Sequence, residues 1–140
     1  MKRITNKLKD EWKNIGRPFI NYTAAQTAFN ATAITASNGG DLYSGAEDSV
    51  INLPFFAGVN LGYAKCVDTI TRKMGKYGRL GANAFSLGVS GAFYTYALLT
   101  NDNDPTIPAL LAGAIGLTLT NKQVNQIQRE GLEEKIENLL

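Results

Sequence analysis

Charged residues are confined to a few short blocks of this chain, and the long runs between them carry no charge at all. The uncharged runs cover residues 19–40, 50–64, 80–101 and 105–121. A helix rises about 1.5 Å per residue, so the two longest runs, of 22 residues each, are long enough to cross a hydrocarbon core about 30 Å thick. Each run must be hidden from water, either inside a protein or in a bilayer.

Segments that contain lysine and arginine alternate strictly with segments that contain none. Lysine and arginine number six before residue 19, none in residues 37–49, five in 65–79, none in 101–104 and three from residue 122 on, which accounts for all fourteen. The acidic residues of the two segments without a basic one are Asp41, Glu47, Asp48, Asp102 and Asp104. Short cytoplasmic loops of membrane proteins are enriched in lysine and arginine. If all four runs cross a membrane, every basic residue is cytoplasmic, and so are both termini.

The pattern predicts an all-α fold in one domain over residues 1–140. We expect a small polytopic helical membrane protein with about four transmembrane helices and an amphipathic helix at each terminus. The expected spans are residues 19–37, 50–64, 80–101 and 105–121, and the expected amphipathic helices are residues 1–17 and 122–140. Residues 37–49 and 65–79 are expected to be loops, and Gly131 is a possible break in the last helix.

The first seventeen residues combine an apolar stripe with a basic opposite face. Ile4, Leu8 and Trp12 recur at helical spacing, and Gly16 with Pro18 predicts the end of this helix. Such a helix suits the surface of an anionic membrane, although a helix docked on its own protein shows the same pattern. We expect no nucleic-acid partner, because no interleaved aromatic pattern is present. The candidate membrane-surface residues here and in residues 65–79 are Lys2, Arg3, Lys7, Lys9, Lys13, Arg72, Lys73, Lys76 and Arg79.

Small residues and amides inside the uncharged runs are the candidate sites of helix packing. Small residues four positions apart in the sequence let helices approach closely. Amides eight positions apart lie on one helix face and would line a polar pore. Asn83, Ser86 and Ser90 form a similar polar face. Packing and pore lining predict the same residues: Asn52, Gly58, Asn60, Gly62, Asn83, Ala84, Gly88 and Ala92.

Catalytic and metal-binding patterns are missing from the sequence. There is no histidine, and Cys66 is the single cysteine, which we expect to be a small buried hydrophobe. No phosphate loop or nucleophile elbow is present. Asp102 and Asp104 resemble the start of a calcium loop, but the closing glutamate is missing. We therefore expect no enzyme, no metal and no cofactor, and no pattern identifies a small-molecule substrate.

Three functions fit this sequence. The first is a structural or accessory subunit of a membrane assembly, whose partners are the lipid bilayer and either further copies of the chain or other membrane subunits. The second is an oligomeric pore, small transporter or holin-like channel. The third is a soluble or virion assembly protein with buried apolar helices, which the abundance of Asn, Thr and Gln inside the runs favours. The low mean hydropathy of −0.12 is the strongest objection to a membrane protein.

Overall fold

The computed structural model describes residues 2–100 and 106–140 and shows them as an all-helical bundle without strands. Its elements in chain order are α1 (Lys2–Glu11), a π-helical segment (Trp12–Gly16), α2 (Arg17–Ser37), α3 (Leu42–Met74), a 3-10 segment (Gly75–Tyr77), α4 (Gly78–Leu99) and α5 (Thr106–Leu139). The expected all-α class is confirmed. The acidic turn at 101–104 lies outside the described residues.

A tight turn joins α2 to α3 and makes them an antiparallel pair. Gly39 and Gly40 adopt positive φ angles of 68° and 93°, which side chains with a Cβ rarely tolerate. Asp41 then caps α3, because its Oδ1 accepts a hydrogen bond of 3.1 Å from the main-chain N–H of Tyr43. The cap starts α3 inside the segment for which a loop was predicted.

Glycine allows α2 and α3 to pack closely next to this turn. Gly45 is buried, and a Cβ at this position would overlap the carbonyl oxygen of Ala31 and the hydroxyl of Thr35. Gly45 therefore serves helix contact, whereas the composition of the segment had indicated a loop. A second close approach occurs where α4 begins, because Gly78 lies against the main chain of Thr71.

The helices continue through three further positions where the sequence predicted interruptions. The helical backbone runs through Gly16 and Pro18 by way of the π-helical segment, so the predicted helix end there is wrong. Most of residues 65–79 are helical as part of α3 and α4, and only the 3-10 segment separates the two. Gly131 lies within α5 and does not break it. Basic or glycine-containing segments can remain helical when their neighbours pack against them.

The buried core of the bundle is small and contains many polar groups. Val67, Ala82 and Val124 form a cluster that packs with the partly buried Tyr63 and Phe85. The other buried apolar residues are Tyr22, Phe56, Ala64 and Ile127. The buried polar residues are Asn14, Ser49, Asn60, Thr71, Ser86, Thr120 and Gln123. Large apolar side chains lie mostly on the outside of the bundle instead.

One helical stretch of the described residues, Leu42–Tyr96 across α3 and α4, is long and apolar enough to cross a membrane. Only 22% of its most apolar window is buried within the protein. The predicted number of four membrane-spanning helices is not confirmed by length and apolarity.

The contact at Gly45 makes a prediction about stability. We expect Gly45→Ala to lower the free energy of unfolding by about 1–3 kcal/mol, because its methyl group meets main-chain atoms of α2 that cannot move aside. Gly58→Ala is the matched control in the same helix. Nothing lies within 4 Å of the added methyl group there, so we expect a gain of up to about 1 kcal/mol from helix propensity.

Equilibrium unfolding followed by circular dichroism in mild detergent measures both variants. If Gly45→Ala were as stable as the Gly58→Ala variant, the close approach of α2 and α3 would be contradicted.

Candidate functional site

A buried glutamine of α5, Gln123, connects three helical segments. Its Nε2 donates hydrogen bonds of 2.9 Å to the carbonyl oxygen of Asn14 and of 2.9 Å to that of Ala64. Its Oε1 accepts a hydrogen bond of 3.2 Å from the hydroxyl of Tyr22. The residue is only 2% exposed, so both donors and the acceptor of its amide are satisfied inside the protein.

Pro18 explains why a main-chain carbonyl is free to bind Gln123. Proline has no N–H, so the carbonyl oxygen of Asn14, four residues earlier, lacks its ordinary helical donor. The π-helical segment occurs at the same place, as such segments do where the hydrogen-bond ladder is interrupted. The neighbouring carbonyl of Lys13 accepts a hydrogen bond of 3.1 Å from Nε2 of Gln126. One face of α5 therefore caps the interrupted ladder.

Two tyrosines extend this network towards the centre of the bundle. Oγ1 of Thr120 lies 3.1 Å from the hydroxyl oxygen of Tyr22 and 2.9 Å from that of Tyr63, within hydrogen-bond distance of both. The two rings meet edge to face at a centroid distance of 4.9 Å. Tyr63 also stacks on Phe85 at 5.3 Å. The contacts between these three aromatic rings hold α2, α3 and α4 at a fixed spacing around Thr120.

A second polar cluster lies at the opposite end of the α2 and α3 pair. Nδ2 of Asn30 donates to Oδ2 of Asp48 at 2.8 Å and to Oγ of Ser49 at 3.1 Å. Nδ2 of Asn52 donates to the same carboxylate oxygen at 3.1 Å. The cluster joins the two helices by hydrogen bonds and gives Asp48 two amide donors.

Between these clusters lies an amide pair next to a cavity of about 330 Å³, which α2, α3, α4 and α5 line and which is partly open to the outside. Nδ2 of Asn60 donates a hydrogen bond of 2.7 Å to Oε1 of Gln26. Apolar and aromatic side chains form most of the wall, and none of its lining residues is ionised: Tyr22, Ala25, Gln26, Phe29, Asn30, Phe56, Val59, Asn60, Tyr63, Ser86, Val89, Ser90, Phe93, Tyr94, Ala112, Ile115, Gly116 and Leu119.

A second cavity of about 360 Å³ lies between α2 and α5 and is more polar. Arg17 and Lys122 line it together with Asn21 and Gln126. Tyr22 and Leu119 belong to the walls of both cavities, so the aromatic and polar network around Tyr22 separates the two spaces.

The candidate packing and pore-lining residues are spread over different environments. Asn60 is buried and lines the first cavity, and Asn52 contacts Asp48. Asn83 is half-buried, and its Oδ1 has no hydrogen-bond partner among the described residues. The remaining candidates lie on the outer surface of α3 and α4: Gly58, Gly62, Ala84, Gly88 and Ala92. A Cβ at the three glycines would meet nothing within 4 Å, so these positions are not used for packing within the described chain.

Those candidate basic residues whose side chains the structure describes lie outside both cavities. Lys7, Lys9 and Lys13 are exposed on or next to α1, and the apolar stripe of Ile4, Leu8 and Trp12 is exposed as well. Within the described residues, α1 contacts only the π-helical segment that follows it. The side chains of Lys2 and Arg3 lie outside the described part.

The other basic candidates form local contacts. Arg72 binds Asp68 at 2.8 Å, and Lys76 lies 5.0 Å from the ring centre of Tyr77. Arg79 donates to Oδ1 of Asn125 and so joins α4 to α5. Lys13 joins the other end of the chain to α5 through an ion pair of 3.8 Å with Glu130. The three basic segments therefore meet at one end of the bundle.

Cys66 is exposed, so the expectation that it is buried is wrong. It follows Lys65 on the outward face of α3, whereas Ala64 and Val67 face inward. The helix turns by about 100° per residue, so neighbours of buried residues can be exposed. No group of three potential metal ligands occurs among residues 2–100 and 106–140.

The central residues of the network were not among the sequence candidates. Gln123, Thr120, Tyr22 and Tyr63 carry no recognisable motif. A partial signal exists in α2, where Tyr22, Gln26 and Asn30 follow one another at intervals of four and therefore share one helix face.

The network makes a prediction about stability. We expect Gln123→Leu to lower the free energy of unfolding by about 2–4 kcal/mol, because two main-chain carbonyls and one hydroxyl lose a buried partner. Gln128→Leu is the matched control, since Gln128 is half-buried and makes no hydrogen bond within the described residues. Chemical unfolding in mild detergent compares the two. Equal stability of both variants would contradict the central role of Gln123.

The chain matches no protein-family model, no curated protein and no solved structure. Three features characterise the bundle: its buried hydrogen-bond network, its charge-free cavity and the apolar side chains on its outer surface.

Proposed function

We propose that the chain is a non-enzymatic integral membrane protein that acts as a structural or accessory subunit of a membrane assembly. The observation that carries this proposal is the distribution of polar and apolar groups. Polar side chains such as Gln123 and Ser86 are each 2% exposed, whereas Val50 and Ile51 are each 69% exposed. Water favours the opposite arrangement, and a bilayer favours this one.

Many exposed apolar side chains lie on the segments proposed as spans, and others, such as Leu42, Leu132 and Leu139, lie outside them. Those within the proposed spans of α3, α4 and α5 include Val50, Ile51, Leu53, Phe55, Leu61, Leu80, Leu87, Phe93, Leu99, Leu110, Leu111 and Ile115. The core helices of soluble proteins can be as long and as apolar as a membrane span, but they are mostly buried within their own protein. The low burial of the stretch Leu42–Tyr96 supports a lipid-facing position.

The proposed topology has four spans, formed by α2, the middle of α3, α4 and the first half of α5. The 21 residues of α2 and the 22 of α4 reach about 31 and 33 Å, which matches a hydrocarbon core. The contacts of Lys13 and Arg79 with α5 gather the basic segments at one end. Under the positive-inside rule that end faces the cytoplasm and carries both termini.

The structural role rests on how the polar groups are used. Asn60, which would line an oligomeric pore, hydrogen-bonds to Gln26 of its own chain. This favours packing over a pore shared between copies. The open glycine positions on α3 and α4 support a surface that packs against further copies or other membrane subunits.

The proposal predicts how the protein fractionates. We expect it to stay with the membrane after carbonate and high-salt washes and to require detergent for extraction. Leu8→Glu is the control, because it disrupts the apolar face of α1 without touching the proposed spans. The variant should be retained as firmly as the original chain.

Two outcomes would overturn this picture. Release of the Leu8→Glu variant by carbonate would show that α1 alone attaches the protein to the membrane. A protein that is soluble without detergent would favour a soluble or virion assembly protein, whose apolar faces are covered by other copies.

The topology makes a separate prediction for thiol labelling. Cys66 is exposed at the basic end, so an impermeant maleimide added to intact cells should not label it. The matched probe is Tyr43→Cys in a Cys66→Ser background, since Tyr43 is 75% exposed at the opposite end. We expect this variant to be labelled from outside. Labelling of Cys66 in intact cells would contradict the cytoplasmic position of the basic end.

A further inference from the structure

We propose that the cavity of about 330 Å³ between α2, α3, α4 and α5 is a binding site for an uncharged small molecule with an apolar ring and one carboxamide-like head. The volume falls at the lower end of the range of small-molecule sites, about 300–1,000 Å³. The site goes beyond the proposed structural role and does not depend on whether the bundle lies in a membrane.

The first reason is that several polar groups of the wall face the cavity and are not bound to other described residues. Ser86 is 2% exposed and Asn60 is 8% exposed, and both face the cavity. Within the described residues, the hydroxyl of Ser86 and Oδ1 of Asn60 make no hydrogen bond to protein, and the same holds for the hydroxyls of Ser90 and Tyr94. A ligand that hydrogen-bonds to these groups gains affinity over one that leaves them unpaired.

The second reason is the composition of the wall. Phe29, Phe56 and Val59 on one side and Val89 and Phe93 on the other present aromatic and branched apolar surfaces. No lining residue is ionised, so a charged ligand would lose its hydration without an opposite charge to replace it. Apolar walls with a few polar groups that fix orientation are typical of small-molecule sites.

The amide pair indicates the chemistry of the ligand head. The hydrogen bond between Asn60 and Gln26 uses one amide donor and one carbonyl oxygen, which leaves Nε2 of Gln26 as a donor and Oδ1 of Asn60 as an acceptor. A reversed assignment of both side-chain amides would also leave one donor and one acceptor. A carboxamide offers the complementary acceptor and donor on adjacent atoms.

Fluorine NMR titration of the full chain with 4-fluorobenzamide tests the site. This probe has about ten non-hydrogen atoms and combines an aromatic ring with a carboxamide, so it is small enough for the cavity. 4-Fluorotoluene lacks the head and 4-fluorobenzoate is charged. We expect saturable binding of the amide, after subtraction of protein-free micelles, and weaker binding of the two comparison compounds.

Variants separate the cavity from the rest of the surface. Val89→Phe fills the cavity, and Val50→Phe makes the same change on the exposed face of α3. We expect the first to abolish saturable binding and the second to leave it unchanged. If Val89→Phe fails to fold, Ala112→Phe at a more exposed part of the wall replaces it.

The head is tested by Gln26→Leu, which removes one hydrogen bond and should weaken amide binding about three- to tenfold. Gln128→Leu is the control outside both cavities. Absence of saturable binding, or binding that survives the filled cavity, would overturn the site. Binding of 4-fluorotoluene as tight as that of the amide would overturn the carboxamide head. None of these outcomes bears on membrane integration, which the carbonate wash tests separately.

Discussion

The bundle depends on one buried amide that supplies a donor missing from a helix. Pro18 leaves the carbonyl of Asn14 without its helical partner, and Gln123 supplies one while its second N–H binds Ala64. A side-chain amide has two donors at a fixed angle, so it accepts only one relative position of the two carbonyls. The position of α5 is thereby fixed against the segments around Asn14 and Ala64 together, which apolar contacts alone would specify less tightly.

The same use of polar contacts explains why a cavity remains in the middle of the bundle. Hydrogen bonds set their donors and acceptors about 3 Å apart, whereas apolar side chains can shift until gaps close. Tyr22, Gln26 and Asn30 each bind a different partner along one face of α2. The helices are held at the spacing that these contacts require, and the aromatic rings line the remaining space without filling it.

The sequence predicted the helical class and the separation of basic and acidic segments, because both follow from local periodicity and composition. It did not predict the helix limits. Gly45 and Gly131 signal breaks locally, yet both lie inside long helices, since at Gly45 a neighbouring helix uses the missing side chain. The partners of Gln123 lie 59 and 109 residues away, and no local pattern encodes contacts over such separations. The exposure of Cys66 likewise depends on how α3 is rotated within the bundle.

The low mean hydropathy argues against a membrane only if every residue counts equally. Lipid contacts the outer surface of a bundle, and there the side chains of Val50, Phe55 and Leu87 are exposed. Several of the amides and hydroxyls that lower the average, such as Asn60 and Ser86, lie inside, where they bind other polar groups or line the cavity. The charges lie in α1, at the ends of the hairpins and in the second half of α5. The mean hydropathy of −0.12 therefore averages polar groups of the interior and of the bundle ends with the apolar outer surface. Only that outer surface would contact lipid.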